Sequence, residues 1–415
     1  MPLVPFLFLS VSVILVVTLI LVTVLLYAKH KLLPSGEVTL TINGEKTLQA
    51  EPGNSLLSTL AQHKVYLPSA CGGGGTCGLC KCRILSGGGS ILATETGFFT
   101  RREQQNQWRL ACQVKVRENM EVEIPVQVLG VKKWECKVIS NHNLTSLIKE
   151  LVIQLPEGET LDFKPGGYVQ IDVPPVSVDF AKDIQIDTPF MDGWNSFGFP
   201  GLKMVNKEYG FRAYSMANHP AEGNRIVLNV RISPPPWDRS RGTFMKVNPG
   251  VCSSYVFSRK PGDTIKVSGP YGDFFLKNTP AEKVFVGGGA GMAPMRSHIF
   301  HLFKTLKTDC KVSFWYGARS RKEVFYEQEF RDIEAAFPNF SFHIALSDPQ
   351  PEDDWKGAVG FIHQVLFDKY LQTHPEPEEA EYYLCGPPLM TSATTEMLDN
   401  LGVPKEHILF DDFGG

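Results

Sequence analysis

The sequence lacks an excess of charge of either sign. Its 415 residues carry 41 Lys and Arg against 44 Asp and Glu, a net charge of −3, which gives no basic footprint for nucleic acid. No Lys or Arg precedes Lys29, and residues 3–28 hold no charge of either sign. A secretory signal needs a basic leading region and a small-residue cleavage site; the first is missing and Tyr27-Ala28-Lys29 does not supply the second. Cysteines in regular pairs are also lacking. Nine are present, an odd number, with five crowded between residues 71 and 112 and Cys136, Cys252, Cys310 and Cys385 scattered. That pattern argues against a disulfide framework, and for a reducing compartment with a metal or cluster site. No internal repeat and no acid–base triad is visible.

The uncharged run is itself informative. About 20 apolar residues span a bilayer as a helix, so residues 1–30 are expected to form a transmembrane anchor. Lys29, His30 and Lys31 follow it. The positive-inside bias then puts the N-terminus outside and everything after it in the cytoplasm. The remaining length suits about two or three domains.

Asn43-Gly44 predicts a hairpin turn, and residues 55–63 a short helix capped by Asn54 or Ser55. β character returns over residues 108–128, and residues 129–133 read as a linker. Residues 134–275 are mostly β, with the clearest strands at 169–173 and 226–232, which suggests an antiparallel barrel. Within it, residues 174–204 form a long segment rich in Pro, Asp and aromatics, read as a functional or disordered loop. From residue 283 strands and helices alternate, the rhythm of a parallel nucleotide-binding sheet. The expected domains are 1–30, 31–130, 131–278 and 279–415.

Cys71-Gly-Gly-Gly-Gly-Thr-Cys77-Gly-Leu-Cys80 places three thiols on one glycine-rich loop, and Cys112 follows about thirty residues later. A [2Fe–2S] cluster needs four thiolates, and the plant-type spacing is C-x₄-C-x₂-C…C. Here the first gap is five. Four cysteines also suit zinc, although zinc sites usually pair two CxxC motifs and the second is missing. Cys82 stands beside Cys80 as an alternative ligand.

In Arg212-Ala-Tyr214-Ser215 the Arg can neutralise a flavin nucleotide phosphate. The Tyr can stack on the ring, and the Ser can hydrogen-bond a ring nitrogen. Gly250-Val251-Cys252-Ser253-Ser254 looks like a turn opening a helix, whose N–H groups suit a pyrophosphate. An ordinary strand and an ordinary cap are the bland alternative. Gly287-Gly288-Gly289-Ala-Gly291-Met-Ala-Pro294 runs from strand through a glycine turn to helix, as does Cys385-Gly386-Pro387-Pro388. Two such turns at the carboxyl ends of parallel strands would border a nucleotide crevice; two plain βα turns are the alternative.

The order of these motifs resembles a ferredoxin module fused to a ferredoxin–NADP⁺ reductase-like pair of domains. With the anchor and the Asp411-Asp412-Phe413-Gly414-Gly415 end, the chain is similar to the family of F subunits of Na⁺-translocating NADH:quinone oxidoreductases. The resemblance implies a β-grasp ferredoxin domain, an FAD-binding barrel and an NAD-binding α/β domain. It implies Cys71, Cys77, Cys80 and Cys112 as cluster ligands, and Arg212, Tyr214, Ser215 and the 250–254 turn around FAD. Cys385 is implied near the point of hydride transfer, and Phe413 over the flavin. Glu323, Tyr326 and Glu327 would suit a ribose hydroxyl of NADH. Electrons would pass from NADH through FAD to the cluster, then to partner subunits and quinone at a bacterial inner membrane. The rival readings are a reductase component of a multicomponent oxygenase and a membrane-tethered zinc-binding interaction module.

Overall fold

A computed structural model describes residues 3–32 and 36–411. The uncharged run lies within one 30-residue helix, Leu3–Leu32, which continues through Lys29 and Lys31. Its described side chains from 11 to 25 are all exposed and apolar or small. Among the described residues no helix is long and apolar enough to cross a membrane. The folded part divides into two units. One comprises residues 1–69 and 73–130, the other residues 70–72 and 131–415.

The first unit is built on a five-stranded mixed sheet in the order Lys46–Ala50, Val38–Ile42, Met120–Glu123, Lys81–Ser86, Trp108–Leu110. Asn43 and Gly44 both take positive φ, 52° and 71°, and so turn the first hairpin as their sequence predicts. The Leu56–Gln62 helix is capped by Ser55, whose hydroxyl accepts from the Ser58 N–H at 3.2 Å. It buries Leu56, Leu57 and Leu60, and its first N–H groups donate to the Val114 and Ala111 carbonyls.

The second unit holds two lobes. Six antiparallel strands make the first, ordered Gly210–Ser215, Tyr168–Val173, Thr264–Tyr271, Lys132–Asn143, Ile148–Gln154, Arg225–Arg231. A bridge between Met216 and Leu228 joins the two end strands and closes the barrel. Along Arg225–Arg231 the even residues Ile226, Leu228 and Val230 are fully buried in the barrel core, so the odd ones face outward. The expected linker at 129–133 is shorter than the sequence suggests, since a strand already begins at Lys132. Residues 174–204 are not a loop. They fold as strands Val176–Asp179 and Lys203–Asn206 around short helices. Trp194 is buried there among Phe180, Phe199 and Phe257. The aromatics that make the segment look unusual are its core.

The second lobe is an all-parallel sheet ordered Ala358–Val359, Phe340–Leu346, Val312–Ala318, Lys283–Gly288, Glu381–Cys385, Ile408–Asp411. Val284, Phe285 and Val286 are fully buried, as expected of a strand covered on both faces. The Met292–Phe300 and Glu327–Ala336 helices cover one face, and Ile362–Lys369 and Pro388–Asn400 the other. Chain order reverses between Lys283–Gly288 and Glu381–Cys385. Ligands bind at such a switch point, beyond the carboxyl ends of the strands.

Candidate active site

The cysteine loop turns on residues with left-handed backbone. Gly78, at φ 69°, also lacks room for a side chain: a Cβ there would lie 2.5 Å from the Phe98 ring. None of the nine cysteines is in a disulfide. Cys71 and Cys77 are half-buried, whereas Cys80 and Cys112 are buried. The Cys80 thiol is hydrogen-bonded to Cys112, and that contact together with burial pushes it far above the ordinary thiol range. Cys82 is fully buried and donates to the Arg109 carbonyl at 3.8 Å; burial pushes its thiol up to about 12. Of the two neighbours left open by the sequence, Cys80 is thus the one that meets Cys112. Among the described residues no group of three or more His, Cys, Asp or Glu is gathered as a metal-holding set. Two buried thiols in contact nevertheless fit a thiophilic metal, because a cation would remove the cost of ionising them together.

A buried ion pair that the sequence does not reveal supports this strand. Arg109 donates to Glu95 at 2.7 Å and to the Gly88 and Gly89 carbonyls at 2.9 and 3.0 Å. Glu95 also accepts from the Leu110 N–H at 2.8 Å. Both members are satisfied on several sides, which a buried pair requires. They tie the 88–95 segment to the strand leading to Cys112.

In the second unit one cavity of about 1470 Å³ runs along the seam between barrel and parallel sheet. It exceeds the ~300–1,000 Å³ typical of one small-molecule site, so there is room for a flavin and a second nucleotide together. Arg212, Tyr214 and Ser215 line it from the Gly210–Ser215 strand, and Gly250, Val251, Cys252 and Ser253 from the next turn. Gly288, Gly289, Gly291, Gly386 and Pro387 line it from the parallel sheet. The two glycine turns touch, backbone to backbone: a Cβ on Gly291 would lie 2.0 Å from the Cys385 carbonyl oxygen.

The remaining sequence-predicted residues stand behind the wall. Ser254 is fully buried and its hydroxyl donates to the Gly250 carbonyl at 2.7 Å, holding the turn. Gly287 lies against Phe314 and Met295, and Pro294 is buried in the first turn of its helix. Cys385 is fully buried, one residue before the wall residue Gly386. Phe413 lies outside the described residues. Tyr214 meets the Cys252 thiol, which burial pushes up to about 12, while burial also raises the phenol. Both stay neutral near pH 7, as suits groups that pack and hydrogen-bond rather than ionise.

Several contacts register the lobes, two of them beside the predicted motifs. Ser215 donates its hydroxyl to Asp411 at 2.6 Å, at the end of the last parallel strand. Arg296, on the helix that opens at the Gly289–Gly291 turn, donates to the Ala217 carbonyl and Glu222 at 2.9 Å and to Glu329 at 2.7 Å. The helix carrying the glycine turn is thereby fastened two residues beyond Ser215. At the other end of the crevice only Glu323 of the three expected ribose-binding residues reaches the cavity, beside Arg319. Tyr326 instead donates to Glu150, and Glu327 pairs with Arg321 at 2.5 Å. Burial raises the Glu323 carboxyl.

The comparisons with known proteins agree with this geometry. The 2Fe-2S iron-sulfur cluster binding domain family matches residues 40–117, the oxidoreductase FAD-binding domain residues 200–276, and the oxidoreductase NAD-binding domain residues 285–396. The F subunit of a Na(+)-translocating NADH-quinone reductase from Marinomonas sp. is 53% identical over 401 residues, covering 96% of both chains. The protein of the same name from Pseudomonas aeruginosa is 51% identical over 409 residues, covering 98% of each. Among solved structures, a cytochrome P450 reductase from Amycolatopsis matches 91% of this chain and 98% of its own with a TM-score of 0.63 at 22% identity. A ferredoxin reductase of carbazole 1,9a-dioxygenase matches the same shares at 0.58 and 24%. These two show the fold.

Proposed function

The chain belongs to the family of F subunits of Na(+)-translocating NADH-quinone reductases, and from that premise we propose how its own residues carry out the family's NADH oxidation. It is one component of an oxidoreductase, with a 2Fe-2S, an FAD-binding and an NAD-binding domain. When bound, FAD supplies the conversion between the hydride pair of NADH and the single electrons an iron–sulfur cluster takes.

The observation that carries the assignment of roles is the single cavity lined at once by the Arg212–Ser215 strand, the Gly250 turn and both glycine turns of the parallel sheet. Arg212, exposed at the barrel edge, neutralises the flavin's phosphates. Tyr214 packs on the ring, and the Gly250–Ser253 backbone meets the pyrophosphate. Ser215, held by Asp411, faces the reacting edge of the ring. Gly288, Gly289, Gly291 and Gly386 let the dinucleotide approach the backbone closely, and Glu323 accepts from a ribose hydroxyl. Pro294 and Gly287 hold the turn from behind. Cys385 would support the wall at the nicotinamide end of the cavity, and Phe413, outside the described residues, is the terminal aromatic assigned to the flavin. Cys71, Cys77, Cys80 and Cys112 ligate the cluster.

The same reading makes Leu3–Leu32 a membrane anchor. At 1.5 Å per residue, 30 residues reach roughly 45 Å, more than the ~30 Å hydrocarbon core. With Lys29 and Lys31 cytoplasmic, the reductase sits on the inner side of a bacterial membrane beside partner subunits that pass electrons to quinone. Sodium moves elsewhere in that complex, since a single helix with no charge before Lys29 offers no ion path.

The test is Cys77→Ala. The expected result is loss of the reduced-cluster paramagnetic resonance signal while NADH still bleaches the flavin. A normal [2Fe–2S] signal in that variant would overturn the ligand set. A colourless, zinc-loaded wild type would overturn the whole reading.

A further inference from the structure

Asn229 lies at the seam between the lobes and belongs to none of the motifs. It is 5% exposed and lines the cavity. As an odd residue of Arg225–Arg231 it faces outward from the barrel, and this strand lies against the Gly289–Gly291 turn and the helix that follows. The bridge pairs Met216 with Leu228, and the Ala217 N–H donates to the Val227 carbonyl at 2.7 Å. Continuing that antiparallel register by one residue sets Asn229 across from Ser215. It therefore sits at the hydride-transfer end of the crevice, not the adenosine end.

Its amide is oriented by a relay. Tyr326, from the nucleotide lobe, donates its phenol proton to Glu150, which is the register partner of Asn229 on the neighbouring barrel strand. The phenol oxygen then accepts from Asn229 Nδ2 at 2.8 Å. Reversing the amide would point two acceptors at each other, so Oδ1 must be the free end. Oδ1 is buried and has no hydrogen-bond partner among the described residues. A buried acceptor fixed in place and left unmet beside a ligand cavity calls for a donor on the ligand.

We propose that Asn229 Oδ1 accepts the carboxamide N–H of the nicotinamide ring and sets that ring's orientation beside Ser215. The proposal rests on the nicotinamide reading of the cavity. The carboxamide is the N–H donor that the nicotinamide end carries, and it is present in both the oxidised and the reduced ring. One acceptor recognises both, and so binds without favouring either side of the transfer.

The experiment uses the full-length protein with flavin and cluster in place. It compares the dissociation constants of NAD⁺ and of 3-acetylpyridine adenine dinucleotide, in which a methyl replaces the amide nitrogen. A net hydrogen bond corresponds to roughly 5- to 10-fold in binding, so wild type should prefer NAD⁺ by about that factor. Asn229→Leu should abolish the preference by weakening NAD⁺ and leaving the analogue unchanged. Tyr326→Phe keeps the acceptor but frees the amide to turn, and should lose part of the preference; it carries the test should Asn229→Leu fail to fold. Equal weakening of both nucleotides would mean a ribose contact, and an altered flavin content with the preference intact would mean that Oδ1 serves the flavin. Either result overturns the proposal, as does a preference untouched in both variants. A wild type that binds no NAD⁺ would overturn the nicotinamide reading as well, whereas normal NAD⁺ binding with a preference indifferent to Asn229 overturns this inference alone.

Discussion

Ser215 and Asp411 are 196 residues apart in sequence, yet the hydroxyl of one donates to the carboxylate of the other at 2.6 Å. That bond anchors the last strand to the barrel, and in the proposed reading it holds the Ser215 oxygen toward the flavin. Hydrogen bonds to charged groups contribute about 1.5–3 kcal/mol. If Asp411 acts by positioning Ser215, Asp411→Ala should slow flavin reduction by NADH on the order of 10- to 100-fold, with NAD⁺ affinity nearly unchanged. Stopped-flow absorbance checks it, and an unchanged rate would show the bond to be a structural tie only. At this scale the sequence is legible where the partners are close along the chain. Arg212-Ala-Tyr214-Ser215 can be read because one strand carries it. Asp411, Asn229 and the Glu95–Arg109 pair cannot, because tertiary pairing alone brings them to their partners. Glu323, Tyr326 and Glu327 look equivalent in sequence, but the left-handed turn at Tyr326 sends its phenol into the seam and leaves Glu323 alone on the cavity wall.

Elements are legible where hydrophobic periodicity is strong. The strand at Phe340–Leu346 and the helix after Pro388 follow their patterns closely. Residues 174–204 do not yield to the same reading. Their strands are four residues each and their helices six or fewer, too short for a period to show. Burial of Trp194 organises them, through stacking on Phe257 at 5.9 Å. The Leu3–Leu32 helix is the clearest element of all, and its proposed role is separable from chemistry. Removing about thirty residues, the span of a bilayer helix with flanks, should give a protein that stays in the aqueous phase. It should keep NADH-dependent reduction of an artificial acceptor and lose transfer to quinone. Detergent phase partitioning and acceptor assays check it. A truncated protein inactive with every acceptor, or a full chain that partitions into water, would contradict the anchor.

At the scale of the whole molecule, function follows from the order of three modules and from what fastens two of them. Motif order is readable because each glycine or cysteine turn is local. The fastening is not, since Arg296 looks like any helix-surface Arg until Ala217, Glu222 and Glu329 are seen around it. Breaking a buried pair costs about 3–5 kcal/mol, and partial exposure of both carboxylates puts Arg296 at the low end. The lobes are thus held as one body around the cavity, which the two-nucleotide reading requires. The central claim is that this one chain takes hydride from NADH and delivers single electrons to its own cluster. The direct measurement is an anaerobic titration of the purified full-length protein with NADH, followed together by visible absorbance and paramagnetic resonance. Flavin bleaching and a growing reduced [2Fe–2S] signal in the same titration are the predicted result. Bleaching with no cluster signal at any NADH concentration, or no bleaching at all, would contradict it.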